Sequence, residues 1–312
     1  MKKKFLVFIL GPTCVGKTSI SLFLAKKLKT EILSCDSRQF YKELKIGTSM
    51  PTKKELNNIT HHFIGHLSIH DNYNAKLFEI DCLKKISKLF EKYTILIIVG
   101  GSGLYEKAIT EGLSDIPKIN LNIRNNLIFN FKKNGIYFLQ KEFLKKKNKE
   151  DIIDIQNPKR LIRYLEIIES TGHSPSFFFK KKKNKRNFTI LKIGLIMCRD
   201  NIYFRINSRV ENMINKGLFE EAKLYYDYKY LNSLQTIGYN EIYNFFSKKE
   251  NSINKTIEKI KINTRNYAKR QITWYKKDKK IKWFNPNEKD KILNFLLKKM
   301  GNTGFEPVTS CL

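Results

Sequence analysis

Residues 11–18 read Gly11-Pro12-Thr13-Cys14-Val15-Gly16-Lys17-Thr18 and fill every fixed position of the phosphate-cradling loop G-x-x-x-x-G-K-[ST]. Such a loop works only between a strand and a helix, because its backbone N–H groups and the helix N-terminus must converge on one anion. The flanks meet that demand. Phe5 to Leu10 is an apolar run of strand length, and Ser19 to Leu28 carries Ile20, Leu22, Phe23, Leu24 and Leu28 at helical spacing. Lys17 then supplies a point charge, and Thr18 offers a hydroxyl to Mg²⁺. Strand, loop and helix together predict phosphate binding without saying which phosphate is bound.

The pattern that follows predicts an α/β fold. Glu31 to Cys35 reads as a strand ending in Asp36, Lys76 to Tyr93 as a helix with Leu83, Ile86 and Phe90 on one face, and Thr94 to Val99 as the next strand. Ile95 to Val99 is apolar throughout, as a parallel strand covered on both faces requires. Ligands on such sheets sit beyond the carboxyl ends of the strands, where Gly11, Asp36 and Gly100 all fall. We expect a P-loop NTPase-like parallel sheet core over 1–118, a helical insertion over 119–186, and the core resuming over 187–300, mainly as helices. Phe188 to Cys198 reads as its one further strand, and 301–312, which lacks the Lys, Asn and Ile bias, as a disordered tail.

Sixty Lys and Arg against 29 Asp and Glu give a formal charge of +31, a field that attracts polyanions such as nucleic acid. The Lys and Asn bias runs through every segment, so part of that charge belongs to solvent faces. The basic run 180–186 reads as a solvated loop. The five cysteines are scattered and form no C-x-x-C pair, which fits reduced thiols in a cytoplasmic protein. No apolar stretch approaches the roughly 18 residues of a membrane span, and the short run before Gly11 is no signal peptide.

Asp36 is the candidate of greatest chemical interest. At a strand end beside the loop, a carboxylate can bind Mg²⁺, directly or through water, or accept a proton from a nucleophile; it can also simply cap the following turn. The Gln39 amide has the geometry to pair with adenine, but Gln39 is equally well a surface residue. After Val99 the chain reads Gly100-Gly101-Ser102-Gly103, where a P-loop NTPase places an acid that holds the metal through water. The missing acid argues against an ordinary ATPase, and the glycines are expected to leave room for a substrate beside Ser102. Arg205 and Arg209 share one helix face and suit a diphosphate clamp, or a solvated stripe. Arg160 and Arg163 open another helix with Leu161, Leu165 and Ile168 on its core face. Thr264 to Trp274 interleaves cations with aromatics, suited to nucleic acid or to core packing.

Taken together, these segments resemble the tRNA dimethylallyltransferase (isopentenyl-diphosphate:tRNA transferase) family from the loop to about Phe284. The matching motifs are Gly11 to Thr18, Asp36-Ser37-Arg38-Gln39, Ile46-Gly47-Thr48, His61-His62, Gly100 to Tyr105, Arg160 to Glu166, Arg205 to Val210, Ile237-Gly238-Tyr239 and Thr264 to Trp274. Ser102 stands where the family usually has Thr, and Gly65 where an Asp commonly follows the paired histidines. The resemblance implies Mg²⁺-dependent transfer of a dimethylallyl group from its diphosphate to N6 of the adenosine adjacent to the anticodon, by a monomer. It implies that Gly11 to Thr18 hold the diphosphate, that Asp36 is the general base, and that Thr18 and Arg209 act with Lys17 and the metal on the leaving group. It further implies tRNA contacts from Asp36, Ser37, Arg38, Gln39, Ser102 and Arg124 and from Lys159, Arg160, Leu161, Ile162 and Arg163, with the insertion gripping the anticodon stem. On the residues alone, an ATP-dependent small-molecule or nucleoside kinase stays open.

Overall fold

The computed structural model describes residues 3–117, 119–148, 151–179 and 186–301. Most of the basic run, 180–185, and the tail from 302 onward lie outside the described residues. The chain forms two compact units, Met1–Thr110 with Arg186–Leu312, and Glu111–Lys185 between them.

The larger unit begins β1 (Phe5–Leu10), α1 (Lys17–Lys27), β2 (Ile32–Ser34), α2 (Lys53–Asn58), β3 (His61–His62), α3 (Ala75–Lys92), β4 (Ile95–Val99) and α4 (Gly103–Thr110). The smaller unit contributes α5 (Leu121–Lys146), α6 (Pro158–Thr171) and α7 (Pro175–Phe179). The larger unit resumes with β5 (Thr189–Leu195), α8 (Arg199–Asn215), α9 (Leu218–Leu224), a 3₁₀ turn at Tyr226–Tyr228, α10 (Tyr239–Phe246), α11 (Ile253–Lys276), β6 (Ile281–Phe284) and α12 (Lys289–Met300).

The six strands form one parallel sheet in the order β3-β2-β4-β1-β5-β6. Strand β1 is buried at every position because each of its faces meets a helical layer. Phe5, Val7 and Ile9 pack with Ile20 and Leu24 of α1 and Ile292 and Leu296 of α12, whereas Leu6, Phe8 and Leu10 pack with Phe78, Cys82 and Ile86 of α3. Adjacent β4 repeats the alternation with Ile95 and Ile97 on one side and Leu96 and Ile98 on the other. The central strand ends therefore open at one edge of the sheet, where the loops after β1, β2 and β4 meet.

The segment after Asp200 is not all helix, because β6 adds an edge strand beside β5. Its run Ile281-Lys282-Trp283-Phe284 is short and puts exposed Lys282 at an edge, so it lacks the continuous apolar signature of a central strand. The paired histidines form the other edge, where the His62 ring bonds Glu31 at 2.6 Å. Arg186, read as part of a solvated run, is a structural anchor. Its guanidinium donates to the Ala108 and Ile109 carbonyls and pairs with Glu79 at 3.1 Å.

In the smaller unit, α5 is interrupted at Gly135, whose φ of 70° only glycine adopts without strain. Helix α6 starts at an Asn157 cap with Pro158 in its first turn and stops at left-handed Gly172. Leu127, Leu139, Phe143, Leu161 and Leu165 form this unit's own core. Among the described residues, no helix is long and apolar enough to cross a membrane.

Candidate active site

The phosphate loop spans the gap between β1 and α1 through three residues with positive φ, Gly11 (142°), Cys14 (64°) and Gly16 (105°). At Gly11 any Cβ would stand 2.6 Å from the Leu195 carbonyl oxygen, so the backbone of β5 requires glycine there. Val15 turns inward and is fully buried, so its side chain packs in the core. Lys17 folds over the loop, its ammonium donating to the carbonyls of Gly11 at 3.1 Å and Pro12 at 2.8 Å. Burial, reinforced by the nearby Arg209 charge and opposed by Asp36, lowers the Lys17 pKa to about 8. The Thr18 hydroxyl group belongs to an exposed residue in the first turn of α1.

Asp36 follows β2 and accepts the Arg38 N–H on Oδ1 at 3.1 Å, so it does cap its turn. A carboxylate has about four acceptor positions, so that bond leaves capacity for a second partner. Ser37 meets Ser102 twice: its N–H donates to the Ser102 hydroxyl at 3.2 Å, and the two hydroxyls lie 3.3 Å apart. The Ser102 hydroxyl also bonds Tyr267, whose pKa burial and the Asp36 charge push up to about 12. Arg38 turns outward to the carbonyls of Asn232 and Ser233. Gln39 is a brace in this structure. Its amide accepts from Ser34 and donates to the carbonyls of Thr48 and Ser49, which satisfies both ends within the protein.

The glycines after β4 are required by packing as well as by the cavity that Gly101 and Gly103 line beside Ser102. A Cβ on Gly101 would stand 2.1 Å from the Gln271 amide nitrogen, one on Gly103 2.2 Å from the Trp274 indole nitrogen, and one on Gly100 2.4 Å from Cys35 Sγ. The Cβ positions of Gly101 and Gly103 are filled by α11, which lays Thr264, Tyr267, Gln271 and Trp274 along one face. The interleaved segment is thus a wall of the site as well as a packed helix.

Arg209 reaches the loop from α8, donating to Thr13 Oγ1 at 3.0 Å, Ser49 Oγ at 2.7 Å and the Thr48 carbonyl at 3.5 Å. Arg205 follows the same face: one guanidinium nitrogen lies 3.7 Å from where a Cβ on Gly16 would stand. What holds the Thr48–Ser49 segment was not foreseen from the sequence. Glu221, buried on α9, accepts the backbone N–H groups of Lys45, Ile46 and Gly47 at 2.9–3.1 Å and the Tyr239 hydroxyl at 2.6 Å. Gly47 is required because a Cβ would meet the Tyr239 ring at 2.5 Å. The only signal in the sequence was Gly-Tyr at 238–239 and Gly at 47, with nothing to connect them to Glu221. Glu221→Ala would leave three amides and a hydroxyl unpaired, so we expect a loss of about 3 kcal/mol of stability. Urea unfolding checks this, and a loss below about 1 kcal/mol would show that water replaces the carboxylate.

These elements enclose a cavity of about 560 Å³. Thr13, Asp36, Ser102, Arg209 and Arg270 line it together with Val210, Met213, Leu218, Ile237 and Ile260, which belong to one apolar cluster.

The smaller unit carries the remaining candidates. Buried Glu166 takes Arg124 of α5 on one oxygen and Arg163 of α6 on the other, each at 2.6 Å, while both arginines stay half-exposed. Lys159 and Arg160 are exposed. Leu161 and Ile162 are not surface residues: at 0% and 6% exposure they face the core of their unit, because α6 turns its apolar stripe inward. Of the stretch 159–163, only the three cations present side chains to solvent.

The model of the IPP transferase family matches residues 39–278. A tRNA dimethylallyltransferase of Christiangramia forsetii is 49% identical over 92% of this chain and 95% of its own length, and that of Flavobacterium johnsoniae 42% identical over 95% and 98%. The crystal structure of a full-length tRNA isopentenylpyrophosphate transferase from Bacillus halodurans superposes with a TM-score of 0.71 at 34% identity, covering 96% of this chain and 98% of that one. With most of its length matched by the family model and by relatives of nearly its own size, this chain belongs to the IPP transferase family and is a prenyltransferase of the tRNA dimethylallyltransferase type.

Proposed function

We propose that this enzyme transfers a dimethylallyl group from dimethylallyl diphosphate to N6 of the adenosine adjacent to the anticodon of tRNA, giving N6-isopentenyladenosine. The cavity carries this reading. A short isoprenoid diphosphate needs cations for its phosphates and an apolar surface for its chain, and one space is lined by Arg209, Arg270 and Thr13 of the phosphate loop together with Val210, Met213, Leu218, Ile237 and Ile260, with Asp36 and Ser102 on its wall. An ATP-dependent kinase, open on the residues alone, is set aside by family membership.

In the proposed step the N6 lone pair forms a bond to C1 of the allyl group as the C1–O bond breaks. The electron pair leaves with the diphosphate, and the N6 proton passes to the Asp36 carboxylate. An exocyclic amine conjugated to a purine ring is a poor nucleophile, so proton removal during bond formation is where a carboxylate helps. Negative charge grows on the diphosphate oxygens, beside Lys17, Arg209 and the loop amides. Among the described residues, no three or more His, Cys, Asp or Glu side chains converge as a metal cage. Mg²⁺ keeps waters and takes phosphate oxygens plus few protein ligands, so the Thr18 hydroxyl and, through water, Asp36 would hold it here. The ion would neutralise charge on the departing diphosphate. Arg124, Lys159, Arg160 and Arg163, on a chain of formal charge +31, support phosphate contacts with the anticodon stem. The target base must leave its stack to reach the cavity, as single-stranded loops permit.

Incubation with labelled dimethylallyl diphosphate, Mg²⁺ and unmodified tRNA is expected to place label on that adenosine; label on no nucleotide would overturn the proposal. Arg209→Ala is expected to raise KM for the diphosphate by about tenfold or more, since a charge-assisted bond contributes roughly 1.5–3 kcal/mol. Unchanged kinetics would remove Arg209 from the site.

A further inference from the structure

Among the described residues, Gln271 is the one side chain that hydrogen-bonds both the phosphate loop and the turn after β4. It is 5% exposed, and its Oε1 accepts the Thr13 N–H at 2.8 Å while its Nε2 donates to the Gly101 carbonyl at 2.8 Å. The amide orientation is forced, because a backbone N–H can only donate and a carbonyl can only accept. Gly101 admits this contact by lacking a Cβ, which would stand 2.1 Å from Nε2. Thr13 is also held at its hydroxyl by Arg209. Next to Gly101, Ser102 bonds Ser37, the neighbour of Asp36.

We propose that Gln271 is a positioning residue for the transfer reaction, a two-ended strut that sets the spacing between the loop holding the leaving diphosphate and the Ser102–Ser37–Asp36 side that receives the nucleophile. The inference rests on the transferase reading above. In-line transfer tolerates little error in that spacing, and a displacement of about 1 Å can slow a reaction about 100-fold. Only a group with an acceptor and a donor in one plane meets both partners. A leucine leaves two buried backbone groups unpaired. A carboxylate faces the Gly101 oxygen with a second acceptor, and regains the pattern of the amide only when protonated.

The test compares Gln271→Leu, Gln271→Glu and Gly101→Ala with wild type, each shown to be folded by circular dichroism. Gln271→Leu and Gly101→Ala should lower kcat by about 100-fold while the Kd for a tRNA anticodon stem-loop stays within about threefold. For Gln271→Glu, the activity taken as a ratio to wild type at each pH should climb about tenfold or more as pH falls from about 8.5 to about 6, because burial raises a carboxyl pKa. A purely packing role would not produce that recovery. Retention of kcat within about threefold by Gln271→Leu, or a flat ratio for Gln271→Glu, overturns the proposal; the second criterion decides alone if Gln271→Leu does not fold. If wild type itself transfers nothing to tRNA, the transferase reading fails and the strut is judged by calorimetry with inorganic diphosphate. About tenfold weaker binding to Gln271→Leu than to wild type then supports it, and equal binding overturns it.

Discussion

Asp36→Ala is expected to lower kcat for dimethylallyl transfer by about 10²- to 10⁴-fold while tRNA binding stays within a few-fold. The size follows from what the carboxylate would do: take the N6 proton as the C–N bond forms. The chief competing role is structural, because Oδ1 also accepts the Arg38 N–H. Asp36→Asn separates the two. Its amide oxygen keeps the turn bond, but the group no longer takes up a proton near neutral pH. Single-turnover transfer and stem-loop binding measured on both variants decide the matter. Comparable loss of rate with binding intact assigns Asp36 as the base, whereas near-normal rates for Asp36→Asn would reduce it to a turn cap.

Lys17→Met is expected to lower kcat/KM for the diphosphate by about 10²- to 10³-fold, since it removes a preorganised charge beside the leaving group. The lowered pKa adds a pH signature. With a value of about 8 in the free site, Lys17 is charged below that pH and loses its proton above it. An anion prefers the charged form, so wild-type affinity for inorganic diphosphate should fall above pH 8, by at most about tenfold per pH unit. The Met variant should lack this component of the decline. For stability the sign is opposite. The folded state depresses the pKa of a basic group, so Lys17 subtracts stability below pH 8, and the penalty fades as pH rises toward 10.5. Lys17→Met should therefore raise Tm at pH 7 while lowering kcat/KM. A lowered Tm would show that the bonds to Gly11 and Pro12 outweigh burial of the charge.

Local patterns were legible where a segment's neighbours impose one demand. The apolar run of β1, the all-apolar β4 and the helix opened by Arg160 and Arg163 with Leu161, Leu165 and Ile168 on its core face could be read directly, because burial on two faces and helical periodicity leave marks at short range. Edge strands β3 and β6 could not, since half their surface answers to solvent and their runs are short. Leu161 and Ile162 show the same limit from the other side. They sit inside a basic stretch, yet the helix period turns them to the core while Lys159, Arg160 and Arg163 face outward.

By itself, the sequence determined that strand, loop and helix would build a phosphate cradle, that Asp36 and Gly100 to Ser102 would stand at neighbouring strand ends, and which family the chain resembles. These are properties of contiguous residues, or of a parallel sheet that aligns its strand ends. Only the tertiary structure decided that the glycines after β4 admit Gln271 and Trp274 on one side while lining the cavity on the other, and that Gln39 braces the Thr48–Ser49 segment. It alone brought Glu221 beneath the amides of Lys45 to Gly47. Each of these partnerships joins residues far apart in the chain to satisfy a buried donor or acceptor. That requirement acts only once the chain has folded, so no local pattern records which partner meets it.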